Sequence, residues 1–214
     1  YMTASARVVV FVDYQNVYKR ARESFFAEDA PAREGHVHPL ALANQLMRMP
    51  RRAAPCTLHQ VRAYRGLANG RKDPQGNAAG QRQADRWKKS GVLVTNRPLR
   101  YPKDWPDCAE KPEEKGIDVA LAIDVVIMAH RDQYDVAIIA SCDTDLRPAI
   151  EAVLADTDKH VEVAAWQGNG ETQRLSVPGK SVFCNWLSLE HYGRCADPTD
   201  YTQPTPKEAA GPKG

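Results

Sequence analysis

The runs "RVVVFV" (7–12) and "DVAIIAS" (135–141) are short, unbroken and rich in β-branched residues. Runs of this kind read as strands that must be covered on both faces, because neither side offers a polar edge to water. "HVEVAAW" (160–166) alternates at first, then turns apolar, and reads as a third strand. Helical patterns lie between them. Strands alternating with helices imply an α/β fold with a central, mainly parallel sheet covered on both faces. The carboxyl ends of such strands share one edge, where ligands bind in open α/β sheets.

The remaining segments fit the same plan. "YQNVYKRARESFF" (14–26) and "HPLALANQLMRM" (38–49) read as helices, the second stopped by Pro50. "CTLHQVRAYRG" (56–66) and "VLVTNRPLR" (92–100) read as strands on either side of "AAGQRQADRWKKS" (78–90), a polar helix ended by Gly91. "RKDPQGN" (71–77) is expected to be a loop. "YPKDWPDCAEKPEEK" (101–115), with its three prolines, is expected to be a long surface loop of the kind that often carries function. "GIDVALAIDVVIMAHR" (116–131) is apolar nearly all round, which predicts a well-buried helix. "DLRPAIEAVLAD" (145–156) is a helix with Pro148 in its first turn, and "KSVFCNWL" (180–187) a late edge strand before a short helix. The expected organisation is an extension over 1–6, one domain over 7–195 and a disordered, proline-rich tail over 196–214.

An apolar share of 43% over 214 residues supports one substantial core. No stretch approaches the roughly 20 apolar residues of a membrane helix, so no membrane partner is expected. "VVVFV" passes straight into "DYQN", which does not read as a signal peptide, and Met2 is expected to be the native start. The five cysteines contain no C-x-x-C pair. An odd, scattered set argues against a zinc ribbon or disulfide scaffold and suits a reducing, cytoplasmic location.

The acids are placed more tellingly. Asp13 closes the first run, and Asp143 and Asp145 follow "DVAIIA" within three residues of each other. Asp118 opens the 116–131 helix and shares a face with Leu121, Ala122 and Val125. Asp124 lies about 240° round from Asp118 and reads as a structural acid. If the first and fourth strands are neighbours, these carboxylates meet at one edge and raise one another's pKa. A hard cation such as Mg²⁺ or Mn²⁺ relieves that repulsion and can activate a water beside a phosphate. Each acid also has a plainer role. Asp143 or Asp145 can cap a helix, Asp13 can serve a turn, and Asp118 can favour a helix dipole. Asn16 is either an ordinary first-turn residue or the group that orients Asp13. Only their joint placement at one edge separates a site from four independent structural acids.

"VVVFVDYQNVY", "KGIDVALAIDVVIMA" and "YDVAIIASCDTDLRPAIE" resemble, in order, three motif blocks of the NYN domain, a family similar to PIN-domain nucleases. The blocks span roughly residues 7–166. The resemblance implies a PIN-like three-layer α/β/α sandwich with a central parallel sheet, and metal-dependent endoribonuclease chemistry with Mg²⁺ or Mn²⁺. It assigns Asp13, Asp118, Asp143 and Asp145 as catalytic residues and metal ligands, and Asn16 as a catalytic residue. It also admits a homodimer. The sequence departs from the pattern at Cys142, where Gly is usual, at Leu146, where an aromatic is frequent, and at Tyr14, where Gly is common. Cys142 and Tyr14 are expected to add bulk near the site.

Charge distribution bears on the partner. Residues 48–103 hold 14 Lys/Arg against Asp73 and Asp85, a net +12, so the remainder of this +2 chain carries −10. A basic middle of that strength either forms a solvated face or tracks a polyanion such as RNA. Arg62, Arg65, Arg71, Lys72, Arg82 and Arg86 are the candidate RNA contacts. Tyr64, Trp87, Tyr101 and Trp105 can stack on unpaired bases or pack in the core. Single-stranded DNA stays open beside RNA, because nothing in the sequence reads a 2′-hydroxyl. Two other readings compete with the nuclease: an RNA-binding or regulatory NYN module that does not cleave, and a haloacid dehalogenase-type phosphatase suggested by the Asp-x-Asp in "CDTDL".

Overall fold

A computed structural model of the chain describes residues 5–50, 55–168 and 173–203. The elements run β1 (Ala6–Asp13), α1 (Tyr14–Phe25), α2 (Pro39–Arg48), β2 (Cys56–Leu67), α3 (Pro74–Lys89), β3 (Leu93–Pro98), α4 (Ile117–His130), β4 (Val136–Ala140), a 3₁₀ turn (Thr144–Leu146), α5 (Arg147–Asp156), β5 (His160–Trp166), β6 (Phe183–Leu187) and α6 (Leu189–Cys195). The strands form one all-parallel sheet in the order β3-β2-β1-β4-β5-β6, flanked by helices. This is the expected α/β sandwich. The chain builds outward from β1 through β2 to β3. It then returns to place β4 against the other side of β1 and builds outward again. The crossovers therefore diverge between β1 and β4.

The β-branched run of β1 explains its central place. Val8, Val10 and Val12 face one core with Val17, Leu42, Leu46 and Trp87. Val9 and Phe11 face the other with Leu121, Val125, Ile139 and Ile150. Strand side chains alternate between faces, so a continuous apolar run is what a doubly covered strand requires. The two ring partners of Phe11 are Tyr64 at 6.5 Å and Tyr134 at 5.9 Å. At the amino end of the sheet, Arg7 clamps β1 to β4. Its guanidinium donates to both Asp135 oxygens at 2.9 and 3.1 Å, and its backbone N–H donates to Asp135 at 2.7 Å.

Three expectations need revision. The segment read as a loop over 71–77 is helical from Pro74. Asp73 caps α3 by accepting from the Gly76 N–H at 2.8 Å, and Pro74 fits the first turn because its missing N–H is not needed there. The α4 helix is not fully buried. Val119, Ile123 and Ile127 are 55%, 49% and 41% exposed, because α4 lies in an outer layer against β1, β2 and α5 and its outward face has no second layer above it. The segment expected to be a free tail from 196 is attached over its first residues. Ala196 bridges Val37, and buried Asp197 accepts from Tyr201 Oη at 2.6 Å. Residues 204–214 of that tail, and 1–4 of the amino-terminal extension, lie outside the described residues.

Among the described residues no helix is long and apolar enough to cross a membrane. All five cysteines are free.

The Arg7 clamp makes a pH-dependent contribution. Its hydrogen bonds hold the Asp135 carboxyl down at about 2, below the ordinary 3.8. The contribution is complete above pH 4 and is lost as pH falls through about 2. Asp135 is partly exposed, so screening reduces the effect, and Asp135→Asn is expected to cost about 1 kcal/mol at pH 7. Urea unfolding midpoints at pH 7 and pH 3 measure it, and the gap narrows at the lower pH.

Candidate active site

The carboxyl ends of β1 and β4 lie side by side where the crossovers diverge, the position at which open α/β sheets form a crevice. Asp13 ends β1 and caps α1, accepting from the Asn16 N–H at 3.3 Å. Its second oxygen accepts from Ser141 Oγ at 2.8 Å. The residue is only 7% exposed. Burial pushes its carboxyl up to about 6, and the charges of Asp143 and Asp118 add to that, while the hydrogen bonds from Ser141 and Asn16 oppose it.

Ser141 joins two acids. Besides donating to Asp13, its Oγ accepts from the Asp143 N–H at 3.1 Å. Asp143 in turn caps the 3₁₀ turn by accepting from the Asp145 N–H at 3.0 Å. Asn16 Oδ1 accepts from the Cys142 N–H at 2.9 Å, which ties α1 to the end of β4. Asp118 enters from the first turn of α4. Gly116 precedes that helix at φ 73°, a left-handed backbone that glycine adopts without strain. That conformation explains the glycine of the Lys115–Asp118 motif.

Glu114 also reaches this place, a residue that sequence reasoning missed. The Gly66 N–H donates to it, and a Cβ at Gly66 would fall against the Glu114 side chain, so this approach needs glycine. Burial raises the Glu114 carboxyl above its usual range, and the charge of Asp13 adds to the shift. With its amide oriented to suit its neighbours, Gln15 donates to both Glu114 oxygens at 3.0 and 2.7 Å and accepts from Lys19 Nζ at 3.1 Å. Gln15 and Lys19, one helical turn apart on α1, were missed with it.

These groups surround a pocket of about 240 Å³ lined by Asp13, Gln15, Asn16, Lys19, Glu114, Ile117, Asp118 and Asp143. Asp13, Asn16, Asp118 and Asp143 thus come together. Asp145 does not line the pocket; it sits exposed in the 3₁₀ turn with its backbone bound to Asp143. Among the described residues, Asp13, Asp118, Asp143 and Asp145 make no ion pair with a basic side chain. Also among the described residues, no three Asp, Glu, His or Cys side chains stand close enough together to ligate one ion directly.

The two bulky departures point elsewhere. Tyr14 is buried against Trp87, with ring centroids 4.5 Å apart. Cys142 turns its Sγ toward the Gln173 carbonyl at 3.1 Å, and burial raises its thiol to about 11. Neither lines the acidic pocket. The candidate RNA contacts divide. Arg62 pairs with Asp124 at 2.8 Å, beside the Tyr64 hydroxyl that donates to the same carboxylate at 2.6 Å. Arg65 donates to Gln83 and lies 5.6 and 5.5 Å from the Tyr14 and Trp87 ring centroids. Arg82 donates to the carbonyls of Tyr201 and Thr202 at 3.0 and 3.1 Å. Arg71, Lys72 and Arg86 are exposed. Tyr64 and Trp87 are fully buried core residues.

A family model described as the NYN domain matches residues 7–177. The chain belongs to the NYN family. NYN domains belong to a nuclease-like superfamily of the PIN type. All three motif blocks fall inside the matched NYN region, and the acidic pocket is built from them together with Lys19 and Glu114. Among solved structures, a crystal structure of a protein of unknown function from Vibrio parahaemolyticus is similar at 19% identity, with a TM-score of 0.48, over 76% of this chain and 84% of that one. No curated protein matches the sequence.

The strain on Asp13 is measurable without any ligand. Its folded pKa of about 6 exceeds the ordinary 3.8, so the folded state keeps a proton that the unfolded chain has released. Stability is therefore lost as pH rises from about 4 to about 6 and stays lost above. Asp13→Asn, assayed in EDTA, is expected to stabilise the protein at pH 7.5 by up to about 3 kcal/mol, the value of two pKa units. The gain disappears at pH 4. Thermal melts across that range check both the sign and the window.

Proposed function

We propose that this NYN domain is a metal-dependent endoribonuclease that hydrolyses RNA phosphodiester bonds. One observation carries the reading: Asp13, Asp118 and Asp143 line one pocket, and among the described residues no basic side chain is ion-paired to any of them. Carboxylates held this way favour a compensating hard cation. The donor set fits a hydrated Mg²⁺ or Mn²⁺. Such ions take oxygen ligands, keep several waters and need only one or two carboxylates.

Asp13, Asp118 and Asp143 would hold the cation, with water completing its shell. Bound there, it supplies Lewis-acid polarisation of a phosphate oxygen and lowers the pKa of a water. The chain's own groups do the rest. Ser141 fixes Asp13 and the Asp143 backbone in one arrangement. Asn16 holds the end of β4 against α1. Lys19 brings a donor to the same pocket, where a phosphate oxygen can accept from it. Asp145 acts through the backbone of the turn that seats Asp143 and is not a ligand in this reading.

The non-cleaving NYN module is the second reading, and the absence of a direct three-ligand cluster among the described residues favours it. A cleavage assay separates the two. A mixed RNA pool is incubated with Mg²⁺ or Mn²⁺ beside an EDTA control. Cleavage is expected only with the ion. Asp13→Asn, Asp118→Asn and Asp143→Asn are each expected to lower the rate at least 100-fold with the fold retained, and Asp145→Asn less than tenfold. RNA bound but left intact under every divalent ion would establish the second reading. Equal losses at Asp143 and Asp145 would restore the four-ligand arrangement read from the motif.

A further inference from the structure

The loop between β3 and α4 is anchored at its base. The Leu99 N–H donates to the Leu67 carbonyl at 3.0 Å, and Arg100 and Glu113 exchange backbone hydrogen bonds at 2.8 and 2.9 Å. The chain between them encloses a second pocket, of about 300 Å³, lined by Arg100, Tyr101, Lys103, Glu110, Lys111 and Glu113 together with Pro102. That volume is at the low end of the range for small-molecule sites, enough for one nucleotide-sized group. Its three cations are exposed, and among the described residues none of them is ion-paired. Tyr101 is held in place. Its hydroxyl accepts from the Asn69 N–H at 3.1 Å, Trp105 packs edge-on at 5.6 Å, and the Lys72 ammonium lies 5.2 Å from its ring centroid. Lys72 therefore adds a fourth positive charge beside the pocket.

The pocket adjoins the acidic one. Glu113 lines the first and Glu114 the second. Consecutive Cα atoms are about 3.8 Å apart, so the two pockets draw on adjacent positions of the same chain segment. Arg97 continues the cationic row toward the acidic site, with its guanidinium against Gly116 at the start of α4. Two carboxylates leave the loop pocket mixed in charge. That suits an anion joined to a base with amino donors better than a bare phosphate.

We propose that the 99–113 loop pocket binds one nucleotide of a single strand, next to the position that the acidic pocket would take. Arg100, Lys103 and Lys111 hold the phosphate, and the base enters against Tyr101, which Trp105 buttresses. The proposal rests on the nuclease reading for the neighbouring site. It moves the backbone contacts from Arg62, Arg65 and Arg82, which serve the interior or the carboxyl-terminal segment, to the loop.

The test is binding in EDTA, which does not depend on cleavage. A fluorescein-labelled 12-nucleotide single-stranded RNA is titrated with the full chain by anisotropy from 50 to 200 mM salt. Lys103→Ala/Lys111→Ala is expected to weaken binding at least tenfold and to flatten the log K against log salt slope by about 1.4, the value of two single-strand phosphate contacts. Lys88→Ala/Lys89→Ala removes the same charge from the exposed end of α3 and is expected to stay within twofold of wild type. A loss confined to RNA assigns the pocket to RNA, and an equal loss on the matching single-stranded DNA assigns it to single strands of either sugar. Both results support the proposal. It is overturned if the loop variant binds as wild type does, if both double variants lose equally, or if wild type does not bind the strand. Binding that depends on the loop without any cleavage would remove the nuclease reading alone. Unchanged binding in a protein that cleaves would remove the loop pocket alone.

Discussion

The parallel pairing of β1 with β4 is the contact on which the site depends. Asp13 lies at residue 13 and the Ser141–Asp143 turn more than a hundred residues later, so no local interaction can join them. The ladder from Val8↔Val136 to Val12↔Ala140 does. A one-residue slip would exchange the two faces of β1 and expose the wrong set of valines. Register is therefore enforced by both cores at once, and the Arg7–Asp135 clamp closes its amino end. The same register brings Ser141 Oγ within 2.8 Å of Asp13.

That placement has an electrostatic cost. A carboxylate 7% exposed, with two more acids nearby, holds its proton to about pH 6. A fold selected only for stability would put an asparagine or serine there, since burying a charge without a partner is expensive. Basic side chains were available in number, yet Arg62 is committed to Asp124 and Arg65 to the Tyr14–Gln83–Trp87 cluster. Among the described residues neither makes an ion pair with an acid of that pocket, whose own lining cation is Lys19. Strain of this kind concentrates at functional sites, where a perturbed carboxylate in a crevice is more than a packing accident.

The fold was legible because its signals are short-range. Continuous β-branched runs mark doubly covered strands, and Gly116 and Pro148 mark helix starts. Asp13, Asp118 and Asp143 were legible because strand ends and a first helical turn are positions a pattern can locate. Asp145 was read with them but stands outside the pocket lining, exposed in the 3₁₀ turn with its N–H bound to Asp143. Glu114 was illegible because it reaches the site through Gly66, a contact across 48 residues. The exposure of α4 was hidden for the converse reason: apolar character reports what a helix can bury, not how many layers the fold supplies. Arg62 and Arg65 looked like neighbours on a basic surface. They project from opposite faces of β2 into different partners, as residues of opposite parity must.

The basic segment acquires its meaning from that division. Its charge divides: some cations are held by buried aromatics, an acid and the carboxyl-terminal carbonyls, while among the described residues Arg97, Arg100 and Lys103 make no ion pair. A segment selected only as a solvated face would distribute its cations evenly, with acids interspersed at i±4 on α3 and along the loop. Here the unpaired charges border the acidic pocket, and Lys111, from beyond the segment, joins them. An acidic pocket beside a cationic wall is a poor arrangement for a protein that only avoids aggregation. Under the proposed function it would suit an extended anion with one phosphate among the carboxylates and its neighbours held nearby. Cations bound to the flanking strand would then offset the repulsion that the acids exert on that phosphate, without neutralising the acids themselves.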